Sequence, residues 1–353
     1  MLTEDHVPCA TVAFVKNRAS EPTFDVVGVG HAIVDVVARV DDAFLAEWKL
    51  DKGSMALIDT DRAQRLYAAM PPAIEISGGS AANTTVGVAS LGGSAAFIGR
   101  VSDDELGRVF AHDIRAAGVE FASAPAEGGT PTGRSLILVT PDAERTMNTY
   151  LGIGAEFRTS DVDPELIQQG RIVYVEGYLW DDVEAKAAIR HSMECAHQAG
   201  RLVALSLSDP FCVDRWRDEF VSLIDDCVDV LFGNADELRS MYQVDDIDKA
   251  IAIAKSHCQI VAATRGPAGS TVVSATESVT VPAPPVPHVV DTTGAGDLYA
   301  AGVLAGLARN LPLDVCAQLG HLAAGEVISH LGARPEVALG TEAESILAAS
   351  ARA

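Results

Sequence analysis

The segment Asp291–Asp297 reads DTTGAGD, and an apolar run follows it as far as Ala308. Its two glycines allow the backbone to approach a bound group closely and to adopt a positive φ. A helix that begins there presents unpaired N–H groups and the positive end of its dipole, which favours a bound anion such as a phosphoryl group. An isolated acid at Asp297 would only cap this helix. The complete segment, followed by a buried helix, favours a chemical role for Asp297.

Two segments nearer the N-terminus place polar residues beside predicted strands or helix starts. Asp35 lies within the extended apolar run HAIVDVVARV at 31–40, as either a solvent-facing strand residue or a ligand acceptor. The segment Ser77–Asn83 reads SGGSAAN and leads into a helical run at 86–91. On its own, the Gly-Gly pair is consistent with a tight turn.

Three later segments carry similar ambiguity. Asn234, with Glu237 three residues later, matches a capping box, and a cap that follows a strand would point into the crevice where open α/β sheets bind ligands. The segment Thr264–Gly269 (TRGPAG) is consistent with a Gly-Pro turn between strands. His321 lies on a helix predicted at about 313–330 and is interpreted as a polar contact or a helix-surface residue rather than a ligand.

The elements that must position these residues alternate regularly. Apolar strands and longer helices follow one another from 172 to 232, which predicts a mostly parallel sheet covered on both faces. The segments 134–140 and 145–150 alternate and flank the turn PDAE, which predicts a hairpin in a separate small sheet. The first predicted strand, 24–30, lacks the third glycine of a dinucleotide-binding fingerprint.

Composition bounds the class of protein. The chain has 353 residues, 48% of them hydrophobic and 5% aromatic, which indicates a globular fold with an aliphatic core. A formal charge of −23 opposes binding to nucleic acid or an anionic membrane. No signal peptide or spanning segment is evident, so a cytoplasmic location is expected. Six scattered cysteines are predicted to be reduced and mostly buried: Cys9, Cys195, Cys212, Cys227, Cys258 and Cys316.

Taken in order, these motifs resemble those of the ribokinase-like (PfkB) family of carbohydrate and nucleoside kinases. The resemblance covers about residues 24–335 and includes 99–107, a variant of the family's N-terminal signature with Ser102 in place of glycine. It implies an α/β protein with a three-layer α/β/α fold, a mostly parallel central sheet and a small β-sheet lid. The lid strands would be about 31–40, 53–58 and 134–150. Residues 1–23 would be an N-terminal extension, and 336–353 a C-terminal helical tail.

The resemblance also implies roles for individual residues. Gly294, Ala295 and Gly296 would form an anion hole for the γ-phosphate, and Asp297 would accept the proton of the attacking hydroxyl. The residues expected to bind the acceptor are Asp35, Gly78, Gly79, Ser80 and Asn83. Arg145 matches an arginine that some relatives bring towards the transferred phosphate, although the sequence alone indicates an exposed strand residue.

The remaining implied roles concern ATP and metal ions. The residues expected to line the ATP site are Asn234, Thr264, Gly266, Gly269, His321 and Ala324. Glu237 would hold Mg²⁺ through water, and Asp291 and Thr293 are candidate K⁺ ligands through carbonyl or side-chain oxygens.

The expected activity is ATP-dependent phosphorylation of a primary (5′) hydroxyl. Adenosine is the expected acceptor, giving AMP, because the segments around Asp35 and Met55 look most like the adenosine-kinase subgroup. Phe44, Met55 and Leu57 are candidates for an apolar surface against a purine. Ribose, fructose or 2-keto-3-deoxygluconate are alternative acceptors, and a non-catalytic nucleoside- or sugar-binding protein is the alternative of another class. A homodimer and a monomer are both compatible with the sequence.

Overall fold

The strand predicted first from the sequence lies in the interior of a nine-stranded sheet. A computed structural model describes residues 21–142 and 144–350. The strands are β1 Phe24–Val29, β2 Ile33–Arg39, β3 Met55–Leu57, β4 Ile74–Gly78, β5 Ala95–Ile98, β6 Val119–Glu120, β7 Gly133–Val139, β8 Arg145–Tyr150, β9 Gly170–Glu176, β10 Leu202–Ser206, β11 Val230–Asn234, β12 Ile260–Thr264, β13 Ser270–Ser274 and β14 Ser278–Val281. The helices are α1 Asp42–Trp48, α2 Thr60–Ala69, α3 Ser80–Ser90, α4 Glu105–Ala116, α5 Pro164–Gln169, α6 Val183–Gln198, α7 Pro210–Cys227, α8 Ala235–Tyr242, α9 Ile247–Ala254, α10 Ala295–Ala308, α11 Leu313–Val327 and α12 Gly340–Ser350.

The large sheet has the strand order β14-β13-β12-β11-β10-β9-β1-β5-β6. Its strands are parallel from β6 to β12, and β13 and β14 add an antiparallel edge. Successive residues of β1 enter different cores, since Val26 packs on the side of α10 and α11 whereas Val27 packs on the side of α6 and α7. The expectation of three layers around a mostly parallel sheet is therefore confirmed.

The small sheet has the order β3-β8-β7-β2-β4. Strands β7 and β8 form the predicted antiparallel hairpin. Strand β4 was not predicted, and it pairs with β2 to complete the sheet. One face packs through Val36 and Leu136 against Leu45 of α1 and Leu66 of α2. Because side chains alternate along a strand, Asp35 of β2 lies on the opposite face.

Helix α10 is apolar all round and packs between α3 and α11. Small residues allow this close packing: a Cβ at Gly302 would come within 2.3 Å of the Gly320 backbone, and one at Gly87 within 2.5 Å of Leu298. Hydrogen bonds from Ser80 and Asn83 to Asp297 also join the first turns of α3 and α10. The close packing of α10 on α3 and α11 explains why the sequence after Asp297 is so rich in alanine and glycine.

Some helix bounds differ from the predicted ones. Helix α7 begins at Pro210, because Asp209 caps it and proline suits the first helical position. Helix α3 begins at Ser80 directly after Gly79, so Asn83 lies in its first turn. Helix α11 ends at Val327, before the predicted 330.

Other predictions concern the cysteines and the chain ends. None of the five cysteines within the described residues forms a disulfide, and all except Cys258 are buried, as predicted. Cys9 lies outside those residues, as does most of the 1–23 extension. Near the C-terminus, the Leu339 N–H donates to the Ser90 carbonyl at 2.8 Å and leads into α12. The boundaries at 24 and 335 stay predictions. In the part of the chain that the structure describes, every helix is too short or too polar to cross a membrane, and the cytoplasmic location stays a prediction.

Candidate active site

A cleft of about 1020 Å³ runs along the carboxyl ends of the parallel strands and beneath the small sheet. Its wall includes the last residues of β9, β10, β11 and β12, and the first turns of α3 and α10. Crevices at this edge of an open parallel sheet are the usual ligand sites of α/β proteins. The predicted site residues that line the cleft are Asp35, Gly79, Ser80, Asn83, Asn234, Glu237, Thr264, Gly266, Thr293, Gly294, Ala295, Gly296 and Asp297.

Asp297 is held by two donors from the facing helix. Ser80 Oγ donates to Oδ1 at 2.7 Å, and Asn83 Nδ2 donates to Oδ2 at 3.1 Å. Loss of solvent around the carboxylate raises its pKa, and the two hydrogen bonds oppose that rise. The result is a fixed carboxylate with increased basicity in the wall of the cleft.

The backbone before Asp297 leaves an open cradle. Gly294 is the N-cap of α10 with φ 75°, and Ala333 packs so closely that a Cβ there would lie 2.8 Å from it. Gly296 has no atom within 4 Å of its would-be Cβ position. Within 21–142 and 144–350, no backbone carbonyl accepts a hydrogen bond from the Gly296 or Asp297 amide. These amides face open space at the positive end of a helix, which suits an anion.

Asp35 belongs to the site and not to a solvent-facing strand surface. Its carboxylate lies over Gly78, where a Cβ would come within 2.4 Å of Oδ2. Gly79 has φ 99°, and a Cβ there would meet the His31 carbonyl at 2.2 Å. Burial raises the pKa of Asp35 to about 6, while Arg334 and Arg145 oppose the rise. The Gly-Gly pair is therefore needed both for its conformation and for the space it leaves the acid.

Asn234 and Glu237 form the capping box predicted from their spacing. The Asn234 side chain accepts from the Glu237 N–H, and Glu237 Oε2 accepts from the Asn234 N–H at 2.9 Å. Glu237 is 5% exposed, and burial raises its pKa to about 7. Both residues also line the cleft, so the structural interpretation does not exclude a ligand contact.

The residues expected at the ATP site divide into two groups. Thr264 and Gly266 line the cleft, whereas Gly269, His321 and Ala324 do not. Gly269 has φ 102° and packs against the backbone after β14, which accounts for that glycine structurally. His321 is 8% exposed, and its Nε2 lies 3.0 Å from Ser270 Oγ. The polar-contact interpretation of His321 is confirmed, and the helix-surface interpretation is wrong.

Arg145 is not an exposed strand residue. Its side chain is 11% exposed and forms an ion pair with Asp291, whose side chain is 2% exposed. Asp291 also accepts from the Thr293 N–H at 2.8 Å and the Gly332 N–H at 3.0 Å. A K⁺ ion would have to displace Arg145 to use this carboxylate, so the side-chain route to K⁺ does not fit. Coordination through carbonyls stays a prediction.

The three apolar residues proposed to face a purine do not share one location. Met55 and Leu57 line the cleft and are 39% and 49% exposed. Phe44 packs on the other side of the small sheet, where its ring lies 6.2 Å from that of Trp48. The prediction for Phe44 is wrong, because its half-buried ring packs against the apolar cluster on the face of the small sheet that α1 covers.

Sequence reasoning missed several residues of the site. Glu176 accepts from the N–H groups of His31 and Ala81, each at 2.7 Å, and burial raises its pKa to about 8. It thus ties the start of β2 to the start of α3. An acid that closes the apolar strand IVYVE was a usable signal, of the same kind as Asp35. Arg334 stands in no comparable motif and offered no such signal.

Comparison with known proteins identifies the family. Residues 73–338 match the model of the pfkB family carbohydrate kinases, and the chain belongs to that family. The adenosine kinase of Sinorhizobium meliloti is 50% identical, with 91% of this chain and 99% of that chain covered and a TM-score of 0.86. A probable sugar kinase of Rhizobium etli is 46% identical, with coverage of 92% and 98% and a TM-score of 0.87.

A more distant relative is the fructokinase of Klebsiella pneumoniae, which is 30% identical over 67% of this chain and 78% of its own length. Family and geometry together define a phosphotransferase that acts on an alcohol group of a nucleoside or sugar. The prediction of a ribokinase-like fold is confirmed. The alternative of a non-catalytic binding protein is set aside.

Proposed function

We propose that this protein transfers the γ-phosphoryl group of ATP to the 5′-hydroxyl of adenosine, giving AMP and ADP. The observation that carries the proposal is the apolar face that the small sheet turns towards the cleft beside Asp297. Met55, Leu57, Ile137 and Met147 all line it. A free sugar is polar all round and gains little from such a surface, whereas a purine buries two apolar faces. The likeness to the Sinorhizobium meliloti adenosine kinase supports the same acceptor.

The polar end of the cleft suits the ribose. The Asp35 carboxylate accepts hydroxyl protons, and Gly79 lets the acceptor approach the backbone of the loop before α3. The Asn83 side chain already donates to Asp297, so it contributes chiefly by holding that carboxylate. These residues leave the primary hydroxyl directed towards Asp297.

The transfer itself requires one proton acceptor and one anion site. The 5′-oxygen forms a bond to the γ-phosphorus, the bond from that phosphorus to the bridging oxygen of ADP breaks, and the hydroxyl proton passes to Asp297. The raised pKa of Asp297 favours this proton transfer. The open amides of Gly296 and Asp297 and the helix dipole stabilise the charge on the transferred group, whereas the Ala295 amide already donates to the Thr292 carbonyl at 3.3 Å.

We assign ATP and Mg²⁺ to the side of the cleft formed by the ends of β11 and β12 and the start of α8. Glu237 is a buried carboxyl group facing that side, with a pKa raised to about 7 that a nearby cation would lower again. Asn234, Thr264 and Gly266 line the same region. Bound Mg²⁺ supplies charge neutralisation to the phosphates, and Glu237 would hold it through water.

A sugar kinase is the second candidate, and the likeness to the Rhizobium etli probable sugar kinase favours it. The test is ADP release from Mg-ATP with adenosine, inosine, ribose, fructose or 2-keto-3-deoxygluconate, followed by phosphorus NMR of the product. Turnover with adenosine and a 5′-phosphate product would support the proposal. Turnover with a free sugar alone would replace the acceptor but keep the reaction. Asp297→Asn is the matched inactive control for contaminating kinases.

A further inference from the structure

Arg334 lies behind the site, in the segment between α11 and α12. Its Nε donates to Asn83 Oδ1 at 3.2 Å, and Nη1 donates to Ser77 Oγ. Its guanidinium carbon lies 6.0 Å from the centre of the Phe110 ring. Arg334 does not line the cleft, so its contacts are with the residues that build the wall.

The contact with Asn83 fixes which end of the amide faces the catalytic acid. An asparagine side chain has one accepting end and one donating end. Because Arg334 occupies the accepting end, the donating end is turned towards Asp297, where Nδ2 lies 3.1 Å from Oδ2. The reversed amide would set a carbonyl against a carboxylate and an NH₂ against a guanidinium, and both contacts are repulsive.

Arg334 also acts on Asp35 through its charge. The charged groups that face Asp35 are Arg334, Arg145 and Asp297. The two arginines favour the ionised carboxylate, and Arg334 has the larger effect. A single guanidinium thus lies behind both acids of the site, one at the proton-accepting end and one at the hydroxyl-binding end.

We propose that Arg334 is a positioning residue, which orients the Asn83 amide towards Asp297. The inference rests on the proposed function, since it assigns the means by which that site is held. It concerns the charge and the two-sided hydrogen bonding of one side chain. Arginine suits this position because its rigid fork donates in two directions at once.

The test compares Arg334→Met and Arg334→Lys with Arg309→Met. Arg309 is a matched control, since its Nη2 donates to the Leu91 carbonyl at 3.3 Å and links the far ends of α10 and α3. Arg334→Met is expected to lower kcat by roughly 10- to 100-fold through misplacement of Asp297. In this variant, the fall of kcat/KM for the acceptor on the acidic side of the pH profile should move to higher pH. Arg334→Lys retains the positive charge, so its kcat should fall, but its kcat/KM should decline at the same acidic pH as in the wild-type protein.

A double-mutant cycle separates positioning from general destabilisation. If Arg334 acts on Asp297 through Asn83, then Asn83→Ala and Arg334→Met together should lower kcat little more than the worse single change. Additive losses would overturn the inference. Thermal unfolding of each variant, beside Arg309→Met, shows how much activity is lost simply because less protein is folded.

Failure of the inference is distinguishable from failure of the proposed function. Acceptor binding by calorimetry between pH 5 and 8, with adenosine as the probe, needs no turnover. If the wild-type protein neither binds nor phosphorylates adenosine, the proposed acceptor is wrong, and the same variants are measured with the sugar that is turned over. If the wild-type protein works and Arg334→Met matches Arg309→Met in every readout, Arg334 has no positioning role.

Discussion

Arg145 of the small sheet forms an ion pair with Asp291, three residues before the N-cap of α10. The pair joins the small sheet to the loop that builds the anion cradle. Asp291 in turn holds that loop through the N–H groups of Thr293 and Gly332. The positive charge next to Asp291 therefore comes from Arg145 of the small sheet.

This pairing predicts a weak response to monovalent cations. Replacement of K⁺ by choline in the assay should change turnover by less than about threefold, because Arg145 already neutralises Asp291. Arg145→Met should lower turnover and create a clear stimulation by K⁺, since the vacated carboxylate becomes available to a cation. The measurement is the ratio of rates in KCl and choline chloride at equal ionic strength.

Lys52→Met is the control for the loss of a positively charged side chain near the small sheet. Lys52 bridges Asp42 and Asp142 at 2.7 Å on the outside of the small sheet, away from the cleft. It should leave the ratio of rates unchanged. Strong K⁺ activation of the wild-type protein would instead show that carbonyl oxygens near the loop bind the ion.

Asp297→Asn tests the proton acceptor. The substitution removes the carboxylate that accepts from Ser80 and Asn83, and kcat should fall by roughly 10²- to 10⁴-fold. Affinity for Mg-ATP should change little, because the cradle amides stay in place. Calorimetry with a non-hydrolysable ATP analogue measures that affinity separately.

Ser80→Ala is the milder companion to this variant. It removes one hydrogen bond to Asp297 but leaves the carboxylate, so a loss of about tenfold or less is expected. If Asp297→Asn retained a comparable rate, another group would have to accept the proton. Glu176, a buried acid in the cleft wall, is the residue to examine in that case.

Asp35 should set the acidic limb of activity. Its pKa of about 6 means that the carboxylate becomes protonated below that pH and accepts hydroxyl protons poorly. The KM for adenosine should therefore rise as pH falls from 7 to 5, while the KM for ATP changes less. Asp35→Asn should remove this pH dependence and raise the acceptor KM at every pH.

Ionisation of Asp35 favours acceptor binding but lowers the stability of the folded protein. Its pKa is raised in the folded protein from 3.8 to about 6, so the folded state binds the proton more tightly than the unfolded state. This contribution is fully present below pH 3.8 and is lost as pH rises to about 6. Asp35→Asn should therefore raise the free energy of unfolding at pH 7 by on the order of 1–3 kcal/mol. Denaturant unfolding at pH 7 and pH 4 measures it, and an equal gain at both pH values would contradict this origin.

The sequence predicted the parts of the site that depend on local pattern. DTTGAGD and the apolar run after it specify a glycine-led helix start. The acid within an apolar strand left Asp35 as either a solvent-facing residue or a ligand acceptor, and only the resemblance to the family favoured the second. The parts that depend on distant packing were not predictable. Arg334 reaches Asn83 across 251 positions of the chain. Phe44 was assigned to the wrong face of the small sheet because a single apolar residue does not reveal which side its helix covers.

The exposed apolar side chains of β3 should determine the choice between a nucleoside and a free sugar. Met55→Ser and Leu57→Ser are expected to raise the KM for adenosine by roughly 3- to 30-fold each, because each removes apolar area from the face of a purine. Stability should change little, as both side chains are partly solvated already. Initial rates over a range of adenosine concentrations measure the effect.

Ile74→Ser is the matched control for these two substitutions. Ile74 is 64% exposed on β4 of the same sheet but does not line the cleft, so its loss should leave the KM for adenosine unchanged. If all three variants behave alike, the face of the small sheet does not meet the base. A rise in KM for adenosine without a rise for ribose would locate the purine against β3, because only the nucleoside carries a surface that this strand can cover.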